Sequence, residues 1–528
     1  MQPVFICLEP KEADWNKKPF ECIFQIGTMN KMIPDCLRNT GTNVSLLSHP
    51  SSLVLLPIEG RRITIRSVPI LIISLALACA VILSATGCAC LHSSDDPQAA
   101  VAAKAWATVP SILANIVPPK FPHRDFIITN YGAVADGVTD NSEAFRKAID
   151  ACSQSGGGRV VVPDGTFLTG AIHLENNVNL HLKERALIRF TTNTDAYLPA
   201  VFTRYEGTEV MNYSPFIYAF EQTNIAVTGK GTLDGQGAFW HAWRAPGDPA
   251  RLVKMASSGV PASERIFGGV ARLRPNFVEP VRCRNVLIAD IHIINSPMWV
   301  LSPVYCTNVT VRGVTVDTKG PNTDGCDPDS CNGVFIKDCS FSDGDDCIAI
   351  KSGRDTDGQK INIPCQNLVI ENCDFKAGHG GVAIGSETSG GVQNVFAQND
   401  RFNSPDLEMA MRFKTNPARG GYIKDAYLRH CTVKTAQVGI SMTLRYSSSG
   451  AMAGSAIPVI RDIDIRDCAF AKLQQPIFIQ GWSPTNPITD INISNCKFLH
   501  ADKKSFVSDA TRVYLPKTEG SGLAQKAF

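Results

Sequence analysis

The chain has 528 residues, of which 44% are hydrophobic and 19% are charged, a composition that excludes disorder for most of its length. Lysine and arginine number 51 against 49 for aspartate and glutamate, so the formal net charge of +2 excludes the strongly basic field of nucleic-acid-binding proteins. The 18 cysteines are too sparse for a small disulfide scaffold. The length allows about three domains of ordinary size, or one long solenoid.

The first recognisable element is a targeting segment. Basic residues between 61 and 66 precede an uninterrupted apolar stretch at 68–83, and small residues lead from there to Cys88. This order predicts a signal peptide over 61–87; a transmembrane anchor is the alternative, but the apolar stretch is short for a membrane span. Small residues ending in Cys88 resemble a bacterial lipoprotein signal, which makes Cys88 a candidate lipidation site. We therefore expect an exported protein that is periplasmic, anchored in the outer membrane or extracellular.

Two further segments are predicted to lie outside the folded body. Residues 1–60 show no clear periodicity and are interpreted as a doubtful N-terminal extension, which a wrongly assigned start codon would explain. Residues 88–122 are interpreted as a linker, because the stretch from Ala99 to Pro119 is rich in alanine and has prolines near its end. The folded body is predicted to span residues 123–528.

The folded body opens with a helix. Apolar residues recur at helical spacing between Asp140 and Ser153, and three glycines at 156–158 end the helix. A strand follows at once, from Arg159 to Pro163. A helix in this position is expected to cap the exposed edge of the first strands.

Beyond this point the chain reads as short strands that repeat. Eight segments open with asparagine or aspartate and continue with alternating β-branched residues; they begin at Asn285, Asn308, Asn332, Asn367, Asn394, Asp425, Asp462 and Asp490. Their period lies in the range of about 20 to 50 residues that indicates a solenoid. Short strands without intervening helices exclude a βαβ architecture, and a β-sandwich does not explain the repeat. The sequence therefore predicts an all-β, single-domain right-handed parallel β-helix with an N-terminal capping helix.

Several repeats also share a cysteine followed two residues later by phenylalanine. These cysteines are Cys339, Cys373, Cys468 and Cys496. Since like positions stack in a solenoid, both residue types are expected to form interior columns. Most cysteines are therefore interpreted as small buried hydrophobic residues and not as disulfides.

Four polar clusters depart from the repeat, and each occupies a similar place in its own coil. They are Asn322-Thr-Asp324, Gly344-Asp345-Asp346, Gly378-His379-Gly380 and Arg412-Phe-Lys414, with Tyr446 further along the chain. Taken singly, they read as turns, a calcium-binding fragment, a packed histidine and a solvated strand. Equivalent positions in successive coils stack about 4.8 Å apart, so we expect the clusters to converge on one face.

In this order, the clusters resemble the signature of the polygalacturonases, glycoside hydrolase family 28, and the resemblance covers about residues 123–528. It implies a right-handed parallel β-helix that hydrolyses α-1,4-galacturonosyl bonds in pectin with inversion, without a cofactor or a metal ion. The implied partner is a pectic polysaccharide or oligogalacturonide bound by a monomer. Nucleic acid is not expected, and membrane contact is expected only through the N-terminal lipid.

Breaking a glycosidic bond needs a protonated carboxyl for the leaving oxygen and a carboxylate that activates water. Three aspartates packed closely cannot all ionise cheaply, so one is expected to keep its proton. The resemblance implies that Asp345 is the general acid and that Asp324 and Asp346 position and deprotonate the water. His379 would hold the acid in place or share its proton. Gly344 predicts an irregular turn that lets both consecutive aspartates reach the groove.

The remaining site residues are expected to bind substrate. By resemblance, Arg412 and Lys414 would bind the carboxylates of the substrate, the first as a planar fork and the second as a point charge. Tyr446 would complete the sugar subsite, and Asn322 is a further substrate-binding candidate.

Two positions depart from the family pattern. Phe413 stands where isoleucine is usual, and we expect it to point inward. Asp343 stands where serine or threonine is usual. It is expected either to raise the pKa of the acid further or to face solvent.

Other functions stay open at this point. Rhamnogalacturonan or xylogalacturonan are alternative substrates, although the cation pair is best explained by galacturonate carboxylates. A calcium-dependent pectate lyase shares the architecture but needs a carboxylate metal site and an arginine base. A non-catalytic carbohydrate-binding β-helix would not need the three aspartates. The inserted segment at 353–364 is hypothesised to close one end of the groove, which would favour release of small units over endo action.

Overall fold

The computed structural model describes residues 96, 98–447 and 454–523. The predicted extension at 1–60, the predicted signal peptide at 61–87 and Cys88 lie outside the described residues. Within the described part of the chain, no helix is long and apolar enough to span a membrane.

Short strands make up most of the described chain. The first are β1 (Asp125–Ile127), β2 (Asp136–Asp140), β3 (Gly158–Val162), β4 (Gly165–Thr169), β5 (Ile172–His173), β6 (Val178–Leu182), β7 (Ala186–Phe190), β8 (Val201–Tyr205), β9 (Thr208–Asn212), β10 (Ile217–Phe220), β11 (Thr223–Gly229) and β12 (Thr232–Asp234). The next are β13 (Val278–Val281), β14 (Arg284–Ala289), β15 (His292–Ile294), β16 (Thr307–Arg312), β17 (Thr315–Asp317), β18 (Asn332–Lys337), β19 (Ser340–Ser342), β20 (Ile348–Ile350), β21 (Cys365–Glu371), β22 (Asp374–Gly385) and β23 (Val392–Gln398). The last are β24 (Arg401–Asn403), β25 (Leu407–Lys414), β26 (Tyr422–Arg429), β27 (Thr432–Thr443), β28 (Val459–Arg466), β29 (Ala469–Gln480), β30 (Ile488–Ser494), β31 (Lys497–Ala501), β32 (Phe506–Ser508), β33 (Ala510–Tyr514) and β34 (Glu519–Gly520).

The helices are few and lie outside the strand repeat. They are α1 (Ala99–Trp106), α2 (Val109–Asn115), α3 (Ser142–Gln154), α4 (Gly237–Trp243), α5 (Gly247–Ser257) and α6 (Asp355–Ile361). Three short 3-10 turns lie at Ile128–Tyr131, Thr194–Tyr197 and Ala262–Glu264.

Parallel pairing stacks the strands into three long faces. The first sheet has the order β1-β3-β6-β11-β14-β16-β18-β21-β23-β26-β28-β30-β33, and the second has the order β2-β4-β7-β12-β15-β17-β19-β22-β24-β27-β29-β31-β34. The third face, which we call the floor sheet, begins with β5, β10 and β13 and passes through backbone bridges at 301–304 and 326–329. It continues through β20, β22, β25, β27, β29 and β32. The predicted parallel β-helix is confirmed.

The asparagine that opens a repeat turns the chain into the first sheet. Asn285 and Asn308 have positive φ angles of 57° and 61°, a conformation that short polar side chains tolerate. Their amides also form a ladder between coils, since Asn285 Nδ2 donates to Asn224 Oδ1 at 2.8 Å and Asn308 Nδ2 donates to Asn285 Oδ1 at 2.6 Å. In one coil Gly333, with a φ of 75°, takes this position instead of the predicted Asn332.

The repeated cysteines and phenylalanines lie in the interior, as predicted. The rings of Phe341 and Phe375 stack at 5.8 Å, and those of Phe470 and Phe498 stack at 4.4 Å. The cysteines of the described residues are all buried and none of them forms a disulfide. Burying a side chain of this size stabilises the fold by about 1.5–3 kcal/mol, so these columns hold the coils together.

Helix α3 lies at the position predicted for a helix. It buries Phe145, Ile149 and Cys152 in the main apolar core, together with residues of the first coil. These residues recur at helical spacing, which explains why one face of the helix is apolar.

The segment expected as a linker is partly packed structure. Helices α1 and α2 lie on the outside of the first sheet, where the ring of Trp106 contacts that of Phe396 at 5.2 Å. The guanidinium of Arg429 lies 3.7 Å from the centre of the Trp106 ring. The alanine-rich composition suggested a tether, but alanine also favours helices, and small side chains let a helix approach a sheet closely. The packed body therefore includes residues ahead of 123.

Two excursions leave the coil repeat before the polar clusters. One is the antiparallel hairpin of β8 and β9, and the other contains α4 and α5. They meet in an apolar cluster that includes Tyr205, Leu252, Phe267, Met298 and Trp299. This cluster covers the floor sheet one coil ahead of Asp324.

Candidate active site

The floor sheet brings the predicted polar clusters side by side. Strand β20 pairs in register with the end of β22, and β22 pairs with β25. Ahead of these strands the backbone N–H of His379 donates to the carbonyl of Asp345 at 2.9 Å, and that of Gly325 donates to the carbonyl of Asp346 at 2.9 Å. Three successive coils therefore present Asp324, the aspartate pair and His379 at one edge of the groove.

The three aspartates form one cluster. Carboxylate oxygens of Asp324, Asp345 and Asp346 all lie within 4.8 Å of one another. A β-carbon on Gly344 would lie 2.3 Å from the carbonyl oxygen of Gly320, so this close approach of two backbones requires glycine. The irregular turn predicted here is confirmed, and it lets two consecutive aspartates reach the same cluster.

Two cations neutralise Asp346, which is fully buried. Arg412 Nη1 lies 2.9 Å from Asp346 Oδ1 and Lys414 Nζ lies 2.5 Å from Oδ2. The ring centre of Tyr446 is 5.5 Å from the guanidinium and 4.9 Å from the ammonium. Burial lowers the pKa of Lys414, but the charge of Asp346 outweighs it and the pKa is raised. Phe413 points into the core between the two cations, as predicted.

Asp345 and His379 form a pair. His379 Nδ1 lies 3.0 Å from Asp345 Oδ1, and its Nε2 lies 3.8 Å from Glu408 Oε1. Burial raises the pKa of Asp345, but the hydrogen bond with His379 and the charge of Lys414 overcome it and lower the pKa to about 2. The hydrogen bond to Asp345 raises the pKa of His379 despite its partial burial. These shifts favour the proton on the histidine, which agrees with the sharing of a proton that the sequence left open for His379; the role of Asp345 as the general acid stays a prediction.

Lys351 was not among the predicted site residues, although it is part of the cluster. Its Nζ lies 3.4 Å from Asp324 Oδ2, 3.4 Å from Asp327 Oδ1 and 3.3 Å from Glu387 Oε2. Burial and a neighbouring carboxylate raise the pKa of Asp324 to about 7, while Lys351 lowers it. This buried ammonium is thus the main group that favours ionisation of Asp324.

Asn322 lies in the loop that leads to Asp324, and its side chain is engaged by the protein. Its Oδ1 accepts a hydrogen bond from Arg274 Nη2 at 2.7 Å. Arg274, which is only 1% exposed, also donates to the carbonyls of Pro297 and Pro321. Arg274 was not predicted, and it fixes the loop that carries the aspartate. A direct contact between Asn322 and substrate stays a prediction.

Asp343 is buried beside the cluster, so the expectation that it faces solvent is wrong. It is 5% exposed, and burial raises its pKa well above the ordinary value. Burial therefore favours the uncharged form of this carboxyl, which lies beside the three aspartates.

One end of the groove is covered. Trp299 contacts the ammonium of Lys351 at 4.4 Å, is 3% exposed and packs with Tyr205 of the hairpin. Helix α6 lies within the inserted segment at 353–364, and Arg354 of this segment pairs with Glu206 of the hairpin at 2.5 Å. The insert is thus held against the hairpin, which packs on Trp299 one coil ahead of the aspartates. The hypothesis that the insert closes one end of the groove stays a prediction.

Comparison with known proteins identifies the family. The model of glycosyl hydrolases family 28 matches residues 152–514. A probable polygalacturonase from Vitis vinifera is 33% identical over 383 residues, which are 70% of this chain and 73% of that protein. The crystal structure of an exopolygalacturonase from Thermotoga maritima is similar with a TM-score of 0.74 and 37% identity, covering 79% of this chain and 96% of that one.

A second solved structure supports the fold alone. The family 28 exopolygalacturonase of Yersinia enterocolitica is 20% identical and has a TM-score of 0.63, covering 77% of this chain and 76% of that one. The family match extends over more than half of the chain and includes the whole aspartate cluster. The chain belongs to glycosyl hydrolases family 28 and is a glycosidase.

Proposed function

We propose that the protein is a polygalacturonase that hydrolyses α-1,4-galacturonosyl bonds of homogalacturonan and releases small units from one chain end. The proposal rests on the aspartate cluster, which lies between the Asp345–His379 pair and the cations Arg412 and Lys414 at the covered end of a groove. The similarity to the exopolygalacturonase of Thermotoga maritima and to the probable polygalacturonase of Vitis vinifera supports it.

The Asp345–His379 pair supplies the proton. Asp345 has a side chain that is 18% exposed, against 5% for Asp324 and 0% for Asp346, so it is the aspartate that reaches the scissile bond. The proton passes from His379 through Asp345 to the leaving oxygen as the bond to the anomeric carbon breaks. General acid catalysis of this kind contributes about 10²- to 10⁴-fold in rate.

Asp324, with Asp346, positions the water that attacks the anomeric carbon and accepts its proton. Lys351 keeps part of the Asp324 population ionised against burial, and Arg412 and Lys414 lie 2.9 Å and 2.5 Å from the carboxylate oxygens of Asp346. Retaining and inverting glycosidases hold their two carboxyl groups about 5–5.5 Å and about 6.5–9.5 Å apart, respectively. The cluster here is tighter than either range, so inversion follows from the family resemblance and not from the spacing.

The two cations favour an acidic substrate, and the cover over the floor sheet favours a chain that is bound by its end. Arg412 offers a planar fork and Lys414 a point charge to a galacturonate carboxylate, and the ring of Tyr446 lies beside both. The hairpin packs on Trp299, the insert that carries α6 is joined to it by the Arg354–Glu206 pair, and together they are proposed to shorten the groove on this side of the aspartates. Cleavage one or two units from a chain end follows from this asymmetry.

The test is product sizing on a defined oligogalacturonide. We expect one small product from the first time points and a remaining chain that shortens stepwise. A ladder of mid-sized oligomers would contradict the chain-end proposal, and an unsaturated product that absorbs ultraviolet light would contradict hydrolysis. Asp345→Asn should lose turnover and keep substrate binding. Asp343→Asn changes the neighbouring buried carboxyl and serves as its matched control.

A calcium-dependent lyase is less consistent with the charges around the cluster. Arg412 and Lys414 already bind the oxygens of Asp346, and Lys351 lies against Asp324. Calcium prefers several free carboxylates, so it would have to displace these cations. Rhamnogalacturonan and xylogalacturonan remain the alternative substrates, and parallel digestion of the three polysaccharides distinguishes them.

Further proposals concern the architecture and the location of the protein. A right-handed coil agrees with the family resemblance. Helix α3, with its apolar face in the main core, is proposed to cap the N-terminal end of the solenoid. We propose export through the segment at 61–87, with Cys88 as the candidate lipid attachment site, and action as a monomer on pectic polysaccharide. Mass spectrometry of the membrane fraction would detect the lipid, and unmodified Cys88 there would contradict it.

A further inference from the structure

The floor sheet continues for several coils beyond the aspartate cluster. Arg412 pairs in register with Ser441, Ser441 with Phe478, and Phe478 with Phe506. The alternating neighbours of this row, such as Ile479, are buried in the core. One row of side chains on the outer side of this sheet therefore runs from Arg412 to the last coils of the solenoid, and the small Ser441 within it is 3% exposed.

This row ends in a pair of stacked aromatic rings. The rings of Phe478 and Phe506 lie 5.3 Å apart with an interplanar angle of 20°. Phe506 is 41% exposed, whereas Trp299 on the covered side of the cluster is 3% exposed. An exposed phenylalanine is common by itself, but a stacked pair aligned with the active site presents a flat apolar platform.

The platform lies beside a basic loop. Lys503 and Lys504 are exposed and come shortly before Phe506 in the chain. The backbone N–H of Lys503 donates to the carbonyl of Gln474 at 2.7 Å, and the carbonyl of Lys504 accepts from Gln475 Nε2 at 2.9 Å. The backbone of the loop is thus fixed to the neighbouring coil directly ahead of Phe506.

We propose that Phe478 and Phe506 form a distal sugar-binding subsite that takes a galacturonosyl unit of the chain lying in the groove. At about 4.8 Å per coil, the two rings lie roughly 10 and 14 Å from Arg412 along the solenoid. A pyranose unit has a length close to one coil spacing, so the subsite takes a unit two or three positions beyond the cations. The apolar C–H face of the sugar stacks on the rings, and Lys503 and Lys504 attract its carboxylate.

This inference rests on the proposed function, because the occupant is the same acidic polysaccharide. It predicts that chain length controls the efficiency of the enzyme. A chain long enough to reach Phe506 gains the stacking contact, whereas digalacturonate does not. The open side of the groove, opposite the hairpin, is the side on which this chain lies.

The experiment compares kcat/KM on polygalacturonate with kcat/KM on digalacturonate. We expect Phe506→Ala to lower the ratio of the two by about tenfold, since loss of an aromatic stacking contact has this magnitude. Phe506→Tyr should preserve the ratio, because it keeps the ring. The double variant Lys503→Ala and Lys504→Ala should also lower the ratio. Added salt should make this difference from the unaltered protein smaller, because salt screens the attraction of the two lysines for the substrate.

Leu499→Ala is the matched control. Leu499 is 71% exposed and lies on β31 in the same part of the solenoid, but in the second sheet and away from the row. If Phe506→Ala lowers the efficiency equally on both substrates, or leaves the ratio at the level of the control, the subsite is wrong. If the unaltered protein does not hydrolyse polygalacturonate at all, the proposed function fails first and independently.

Discussion

Replacing Lys351 by methionine removes a buried ammonium that contacts Asp324, Asp327 and Glu387. Each of these contacts is 3.3 to 3.4 Å long. At such a distance and at an effective dielectric constant of about 20, one ion pair is worth about 5 kcal/mol, which corresponds to at most about 3.5 pKa units. Relaxation reduces the effect, and measured costs of breaking a buried pair are about 3–5 kcal/mol. We therefore expect Lys351→Met to lower the free energy of unfolding by about this amount.

The same substitution should move the acid limb of the pH profile. Burial already raises the pKa of Asp324 to about 7, and Lys351 acts against that rise. Without the ammonium the pKa of Asp324 rises further. Because Asp324 accepts a proton only when ionised, activity should then appear at a higher pH, by at least about one unit.

The assay is kcat/KM on polygalacturonate across the pH range, with Lys351→Arg as the control that keeps the charge. The arginine variant should retain most of the profile, although its longer fork fits the buried site less well. An unchanged acid limb in Lys351→Met, in protein that remains folded by circular dichroism, would refute the assignment of Lys351 as the positioning residue for Asp324.

His379→Ala should lower kcat by about 10²- to 10⁴-fold and move the alkaline limb of the pH profile to lower pH. The reason is that Asp345 without its histidine partner loses its proton at a lower pH than the Asp345–His379 pair does. An unmoved alkaline limb would count against the shared proton. Arg412→Lys should raise KM for polygalacturonate about tenfold with a smaller effect on kcat, since lysine lacks the planar fork; an unchanged KM would remove Arg412 from the substrate contacts. Trp106→Ala should lower the free energy of unfolding by about 3–5 kcal/mol, measured by denaturant titration, because it removes the contacts with Phe396 and Arg429. A change below 1 kcal/mol would mean that α1 is only loosely attached.

The repeat could be read from sequence because its signals are local. The turn into the first sheet needs a positive φ, which only a few residue types adopt easily, so asparagine or aspartate recurs at that position. The catalytic clusters were equally visible, because Gly344 and the aspartates beside it break the alternation of a strand. What the sequence could not give was the proton distribution, since the pKa of Asp345 depends on His379 and Lys414 from other coils.

Lys351 was missed because a lysine at the end of a short strand usually faces solvent. The register of the floor sheet would have indicated its place. Lys351 pairs with Asp329 in the preceding coil, and it follows Ile350, which pairs with Ile384 in the next coil. The residue after Ile384, Gly385, pairs with Lys414 one coil further on, so Lys351 lies in the same row as this site lysine. Counting that register from sequence is difficult, because the insert at 353–364 separates the coils. The hairpin was missed for a similar reason, since its strands look like the repeat. Its only local mark is the turn at Glu206 and Gly207, whose φ angles are 45° and 77°.

The chemistry and the choice of chain end belong to different parts of the molecule. The acid pair and the water-binding aspartates lie on coils whose spacing is fixed by backbone hydrogen bonds, so their geometry depends on the solenoid alone. The hairpin and α6 lie outside the repeat. The hairpin packs on Trp299, and ion pairs join it to the floor sheet at Arg204–Asp329 and to the insert at Arg354–Glu206. Loops of this kind change without disturbing the coils beneath them. We therefore expect that changes in the hairpin which open the covered end leave bond cleavage intact. The same changes should alter the size of the released product.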